Sequence, residues 1–359
     1  MALTQVETSG LSGSGASSNS TTGNVFSQTG PFKNRIINGD MRIDQRNAGT
    51  GASVGTGTSG TYGPDRFWGY TGTGSVWTTS RVSTGNTDFP FANRLQRANG
   101  SSSTAAIFWR QIIESANCSD LAGQTVTLSL YVTAGTNYSG GALSVNVFTG
   151  TGSDQGATSL NTAAWTSLAT PVNSTITPTT TRTRYTFTAT LGATVQEVAV
   201  GLTFTPTGTA GANDFIDITG VQLEAGSVAT PFERRSYGQE LALCQRYYYR
   251  IYGSDTDANT GPYGLGVSQT STTGRAVISL PVTMRTSPTA LEQSGTASHY
   301  RVILGSSGSS NCSAVPVFAS SSKTSIDIQW TVASGATLNQ GVIFMSNNAA
   351  SYIGASAEL

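Results

Sequence analysis

The chain has 359 residues, 19 basic and 19 acidic side chains, and a formal net charge of zero. Lys33 and Lys323 are its only lysines, so no basic stripe is present to replace counterions along a nucleic acid. No apolar run approaches the roughly 18 residues of a membrane span, and the opening "MALTQVETSG" lacks the basic and apolar regions of a signal peptide, so folding in the cytoplasm of the producing cell is expected.

Gly, Ser and Thr dominate, and only 11% of residues are charged. Short alternating segments between Gly- and Ser-rich turns point to an all-β chain. Residues 1–31 carry too little apolar area to fold alone and read as an extended arm that orders against a partner. Residues 32–46, "FKNRIINGDMRIDQR", read as strand, tight turn and strand, because Asn38-Gly39 supplies positive φ angles. "PDRFWGY" restores order after a Gly-rich loop.

Period-two alternation follows in "AAIFWRQII", "QTVTLSLYVTAG", "ALSVNVFTG", "TRYTFTATL", "EVAVGLTFTP" and "DFIDITGVQLEAG". One face of each, such as Val126, Leu128, Leu130 and Val132, belongs to a core. The spacing suits an antiparallel two-sheet sandwich over residues 32–235. Ser236 and Gln239 then have capping-box spacing, and Leu241, Cys244 and Tyr248 recur at three and four residues. A connecting helix over residues 236–250 is expected. Residues 251–359 return to β structure, a sandwich-like distal domain with prolines at Pro281 and Pro288 that confine those positions to an edge or bend.

Chemistry is sparse. Cys118, Cys244 and Cys312 are far apart and odd in number, which reads as three reduced thiols. A Ser-His-Asp triad would have to be built on His299, the one histidine, which reads as a surface-loop residue. Glycosidase chemistry needs two carboxylates roughly 5 to 9 Å apart, and Glu114, Asp120, Asp214, Asp217, Glu224 and Glu233 show no pairing in sequence. No catalytic residue and no enzyme activity is expected. Sugar recognition uses aromatic rings beside hydrogen-bonding groups. Trp77, beside a Gly-rich loop, is the least core-like tryptophan. Trp68, and Tyr263 in the distal loop "YGSDTDANTGPYG", are the other candidates. Three successive tyrosines on the helix would point around more than half its circumference, so Leu241, Cys244, Tyr247 and Tyr248 are expected to meet symmetry mates.

"NRIINGDMRIDQR", "PDRFWGY", "DITGVQLEAGSVATPFERRSYGQELALCQRYYYR", "LPVTMRTSPT" and "YIGASAEL" resemble blocks of tailed-phage virion proteins labelled tail fibre or structural protein. The first ordered unit, with "NGDMR" and "FIDITGVQLE", resembles jelly-roll carbohydrate-binding modules. The resemblance implies a homotrimeric virion fibre, assembled in the host cytoplasm. Its arm would dock on other virion proteins of tail or capsid, and it would bind host surface polysaccharide or receptor, with host contact expected in residues 251–359. A head fibre or capsid decoration protein is the alternative. A polysaccharide-cleaving spike is the second, although no β-helix period is visible. The modules often hold a structural Ca²⁺ between an opening Glu and a closing Asp. Here Arg42 stands at the Glu position, leaving Asp40 and Asp217 as the residues that would contribute. No other cofactor is implied.

Overall fold

The computed structural model describes residues 32–56, 60–72, 76–253, 261–305 and 308–359. The expected docking arm, 1–31, and the distal "SDTDANT" stretch, 254–260, lie outside the described residues.

Twelve strands build the first unit. They are β1 (Ala52–Ser53), β2 (Thr61–Tyr62), β3 (Trp68–Thr71), β4 (Trp77–Ser83), β5 (Phe91–Arg97), β6 (Ile107–Ile113), β7 (Thr125–Ala134), β8 (Leu143–Gly150), β9 (Ala169–Ile176), β10 (Thr183–Thr190), β11 (Glu197–Phe204) and β12 (Phe215–Ala225), with a short helix α1 (Ala157–Asn161) between β8 and β9. They form two six-stranded sheets, β1-β4-β5-β12-β7-β10 and β2-β3-β6-β11-β8-β9. The strands fall where alternation placed them. Val126, Leu128, Leu130 and Val132 are buried between the sheets with Trp77, Phe67 and Trp109. The last two rings stack with centroids 4.6 Å apart.

One irregularity keeps β12 in phase with that core. Ile216 and Ile218 point inward, and so do Val221 and Leu223, an odd number of residues later. A bulge between Thr219 and Gln222 absorbs the extra residue. Gly220 makes it with φ 57°, and a Cβ there would come within 2.8 Å of Phe89 and Tyr131.

The opening stretch departs from expectation. Residues 32–46 form no strand. They cross the sandwich as packed extended chain with a turn at Asn38–Met41, closed by Met41 N–H donating to Asn38 O at 2.9 Å. Single backbone bonds to Leu223, Val221 and Asp65 take up the groups of Arg35, Gly39 and Ile43, and side chains satisfy many of the others in place of a ladder. The Glu233 carboxylate accepts from the amides of Phe32, Lys33 and Asn34, Gln111 bonds both amide and carbonyl of Ile37, and Glu240 accepts from Asn38 N–H.

The connecting helix α2 (Tyr237–Gln245) begins as expected, with Ser236 Oγ accepting from Gln239 N–H at 3.3 Å. It ends five residues earlier than expected, at Gln245. The tyrosines leave it and enter β13 (Tyr248–Tyr252). The single chain buries what was expected to need symmetry mates: Cys244, Tyr247 and Tyr248 are fully buried, and Leu241 packs on Ile37, Ile43, Cys244 and Tyr247. Tyr247 Oη donates to Glu114 at 2.8 Å and Tyr248 Oη to Glu292 at 2.7 Å.

The distal unit contains β14 (Pro262–Ser268), β15 (Thr273–Ser279), β16 (Glu292–Gln293), β17 (Tyr300–Ile303), β18 (Ser309–Ser321), β19 (Ser325–Val332), β20 (Gly341–Ser346) and β21 (Tyr352–Ser356). Strands β14-β15-β19-β18-β17-β20 close into a barrel, where two stacked layers were expected. Closure leaves those six strands no free edge. Trp330, Tyr300, Phe344 and Ile328 fill the barrel. Outside it, Val277, Leu265, Ile343 and Ile303 form one row across four neighbouring strands, with Leu265 71% exposed.

Strand β21 pairs with β13 and β16 in a separate three-stranded sheet, and the chain then runs back onto the sandwich. The Glu358 carboxylate pairs with Arg46 at 3.2 Å and with Arg66. All three side chains are nearly buried. Removing one partner of a buried pair leaves uncompensated charge and costs about 3–5 kcal/mol. Glu358→Gln should therefore lower the unfolding free energy by about 3 kcal/mol in urea denaturation; a loss below about 1 kcal/mol would show that neither arginine depends on it.

Asp65 lies in the same junction, accepting from Gln45 N–H and Nε2. Burial pushes its pKa from 3.8 up to about 6, against the pull of Arg46. A folded-state pKa above the unfolded value means that the folded chain holds the proton more tightly. The contribution is therefore fully present below the ordinary carboxylate pKa and is lost as the pH rises through about 6. Between about pH 4 and pH 7, Asp65→Asn should gain roughly 2 kcal/mol relative to the parent in denaturant titrations. Parallel pH profiles for the two proteins would contradict this.

Candidate functional site

The sandwich has two outer faces, and folding leaves them in different states. On the first sheet, Phe89 plugs the centre, packed on Tyr131 and Phe232 at 5.1 and 5.2 Å. The segment around Thr230 covers a further part, held by Arg184, Glu224 and Lys33. What remains is a groove of about 610 Å³ lined by Arg94, Thr133, Arg182, Phe215 and Asp217 among others. Its charges are already paired. Arg94 makes two 2.7 Å bonds to Asp217 while lying 3.6 Å from the Phe215 ring centre, and Arg182 holds Asp88.

The second sheet offers a different surface. Phe67 just before β3, Trp109 on β6 and Val147 on β8 point inward, and alternation sends their neighbours outward. Cross-strand pairing aligns the outward residues in rows. One row runs Tyr70, Phe108, Thr203, Ser144, Thr175, and the next runs Trp68, Arg110, Gly201, Asn146, Asn173. Trp68 stacks on Tyr70 at 5.6 Å, and Tyr70 meets Phe108 at 5.8 Å. Tyr70, Phe108 and Phe148 are half-buried, so each ring keeps part of a face open. Asn146 Nδ2 donates to Asn173 Oδ1 at 3.1 Å.

Arg110 lies in the middle of this face. Its guanidinium sits 4.5 Å from the Phe148 ring centre and 5.4 Å from that of Phe108. A Cβ at Gly201 would come within 2.4 Å of Nη1, so only glycine lets the side chain lie flat there. Burial alone pushes its pKa down to about 10, and it remains a cation at neutral pH. The arrangement offers ring faces for the apolar side of a sugar, amides and hydroxyls for its hydroxyl groups, and one positive charge.

The residues singled out from sequence fall elsewhere, with one partial exception. Trp77 is 1% exposed; it is the first inward residue of β4, and its Nε1 donates to Ala105 O. Tyr263 is buried in the barrel, bonded to Ser351. Neither can offer a ring to a sugar. Trp68 backs the aromatic face but is itself 6% exposed, because Gly60 lies against its indole. Asp40 and Asp217 are not brought to a common site. Asp40 pairs with Arg42 at 2.6 Å, burial pushing its pKa up against that arginine's pull, and Asp217 is taken by Arg94. Among the described residues no group of three His, Cys, Asp or Glu is placed to hold a metal.

All three cysteines are buried free thiols, and His299 Nδ1 lies 2.9 Å from Ser294 Oγ. The six carboxylates considered for glycosidase chemistry all hold structural partners. Arg246 and Tyr247 hold Glu114, Arg35 holds Asp120, and Arg97 holds Asp214. Arg94 holds Asp217, Thr230 holds Glu224, and backbone amides hold Glu233.

Sequence reading missed Tyr70, Phe108, Arg110 and Phe148 because it searched for tryptophan. A usable signal existed. "RFWGY" and "IFWRQII" carry large side chains at both parities, and a strand of a two-sheet sandwich can bury only one of them between the sheets.

No family model matches the chain, and no curated protein matches it. Solved structures with partial likeness include the enzymatically active domain of bacteriophage CBA120 tailspike protein 4, at 11% identity and TM-score 0.32, covering 55% of this chain and 22% of that one. A putative sugar binding protein from Bacteroides thetaiotaomicron matches at 15% identity and TM-score 0.34, over 54% of this chain and 100% of that one. A structure described as CBM4 matches at 18% and 0.32, over 53% and 99%. Likeness at these scores assigns no function.

Proposed function

We propose that this protein is a non-catalytic glycan-binding subunit of a tailed-phage virion fibre, and that the outer face of the second sheet is its sugar-binding surface. The observation that carries the glycan part is the half-open aromatic row, Tyr70 and Phe108 with Phe148 beside it, set against Asn146, Asn173 and Arg110. Stacking on such rings contributes about 0.5–1.5 kcal/mol each beyond area burial. The double variant Tyr70→Ala, Phe108→Ala should therefore weaken binding to host surface polysaccharide at least tenfold, roughly 1.4 kcal/mol, while the thermal midpoint stays near the parent's. The first-sheet groove, a concavity of about 610 Å³, is the second reading. Loss of binding in Phe215→Ala with the double variant unaffected would move the site there.

The virion part rests on the sequence blocks "DITGVQLEAGSVATPFERRSYGQELALCQRYYYR" and "YIGASAEL" and on the arm composition of residues 1–31. A tail fibre is favoured over a head fibre. A homotrimer belongs to the same proposal. With Leu241, Cys244, Tyr247 and Tyr248 consumed inside one chain, the row Val277, Leu265, Ile343 and Ile303 is a contiguous apolar surface, among the described residues, that could serve self-association. A virion reconstruction should show three copies about one axis, with residues 1–31 against the particle. Single copies, or attachment through the barrel, would overturn this part.

A further inference from the structure

The aromatic face contains one group that a neutral sugar leaves unused. We infer that this face takes an acidic saccharide, a sugar residue bearing a carboxylate, with Arg110 as its counter-charge; the inference rests on reading the second sheet as the glycan surface.

Arginine pairing elsewhere in the molecule sets the standard. Four arginines are buried among the described residues: Arg66, Arg97, Arg110 and Arg235. Arg66 meets Glu358, Arg97 meets Asp214, and Arg235 meets Glu233 and Glu240. Arg97 adds carbonyl acceptors from Ser101, Ser103 and Gly208. Arg110 is 6% exposed and meets no carboxylate. Its Nε, like those of Arg66 and Arg97, has no hydrogen-bond partner, but it alone of the four also leaves Nη1 buried without one. Its neighbours are the rings of Phe108 and Phe148, which attract the cation but accept no directed hydrogen bond from it of ordinary strength.

A guanidinium presents a planar fork that matches a carboxylate in two parallel bonds. Burying that fork with donors unfilled is unfavourable, and an arriving carboxylate relieves it. The surroundings fit that role. The outward residues of its own row and the adjoining one, from Trp68 and Tyr70 across to Asn173 and Thr175, contain no Asp or Glu. Glu197, four residues from Gly201 along β11, is fully buried and accepts from Gln155 N–H. Nothing in those rows competes with an anionic ligand. The rings on either side hold the sugar, and the Asn146–Asn173 pair meets its hydroxyls.

The test compares three probe classes by isothermal titration in about 0.1 M salt. They are uronate oligomers from polygalacturonate, alginate and hyaluronate, the methyl esters of the same oligomers, and dextran sulfate. The parent should bind at least one uronate about tenfold or more tightly than its ester. Arg110→Gln should bring acid and ester to the same affinity, and Arg110→Lys should retain part of the preference. A melting curve for each variant confirms folding. Equal binding of acid and ester by the parent overturns the acidic assignment and leaves the glycan face standing. Dextran sulfate binding above every uronate assigns a sulfate and overturns the carboxylate. Absence of binding to acid and ester alike overturns this inference, whereas the second-sheet reading on which it rests fails when host polysaccharide binding survives loss of Tyr70 and Phe108.

Discussion

A stretch of buried backbone without a strand partner organises much of this molecule. Residues 34 to 38 lie almost without solvent contact at Asn34, Ile36 and Asn38. Each amide and carbonyl there needs an acceptor or donor, since a buried unpaired backbone group is costly. Arg35 N–H donates to the Leu223 carbonyl, and side chains, several from distant parts of the chain, meet others. Arg235 reaches the carbonyls of Asn34 and Ile36, and Asn34 ties Ile36 N–H and Leu223 N–H to one oxygen. The charged run "FERRS" and the helix residue Glu240 therefore serve the opening of the chain, about 200 residues away in sequence. The same bonds fix where α2 starts, and α2 in turn sets the entry into β13.

That dependence explains what was legible in the sequence. Strands that alternate on a core, such as β7 and β8, announce themselves because periodicity is a local signal. The opening stretch has turn chemistry at Asn38-Gly39 and apolar residues on both sides, so it reads as a hairpin. Only the tertiary positions of Glu233, Arg235, Gln111 and Glu240 remove it from that class. Trp77 misled for a related reason. Its Gly- and Ser-rich left neighbours describe a loop, but the residue belongs to the first inward position of β4. The tyrosines after Gln245 follow their β propensity into a strand, which a helical reading of Leu241, Cys244 and Tyr248 concealed.

The candidate site depends on how the two outer faces were treated. The first sheet spends its aromatics internally, with Phe89 seated on Tyr131 and Phe232, and its groove arginines Arg94 and Arg182 are paired to acids. The second sheet covers only one end of its face, where Trp165, Leu160 and Leu359 pack on Ile112 and Ala199. Tyr70 and Phe148 border that cover and stay half-buried, and Asn173 beyond them is exposed. Gly201 matters here more than any side chain, because it provides the hollow in which a large cation lies between two rings.

Two stretches of chain join the barrel to the sandwich. One passes through α2 into β13, and the other returns from β21 to place Glu358 on Arg46 and Arg66 and Leu359 against Tyr62 and Ala157. A body tethered once can swivel about its tether. A body fastened at two separated points resists torque and bends only about the line through them. The ion pairs at Glu358 thus act as the second fastening, and a twisting load on the barrel passes into the sandwich through buried charge instead of being lost in a rotating linker.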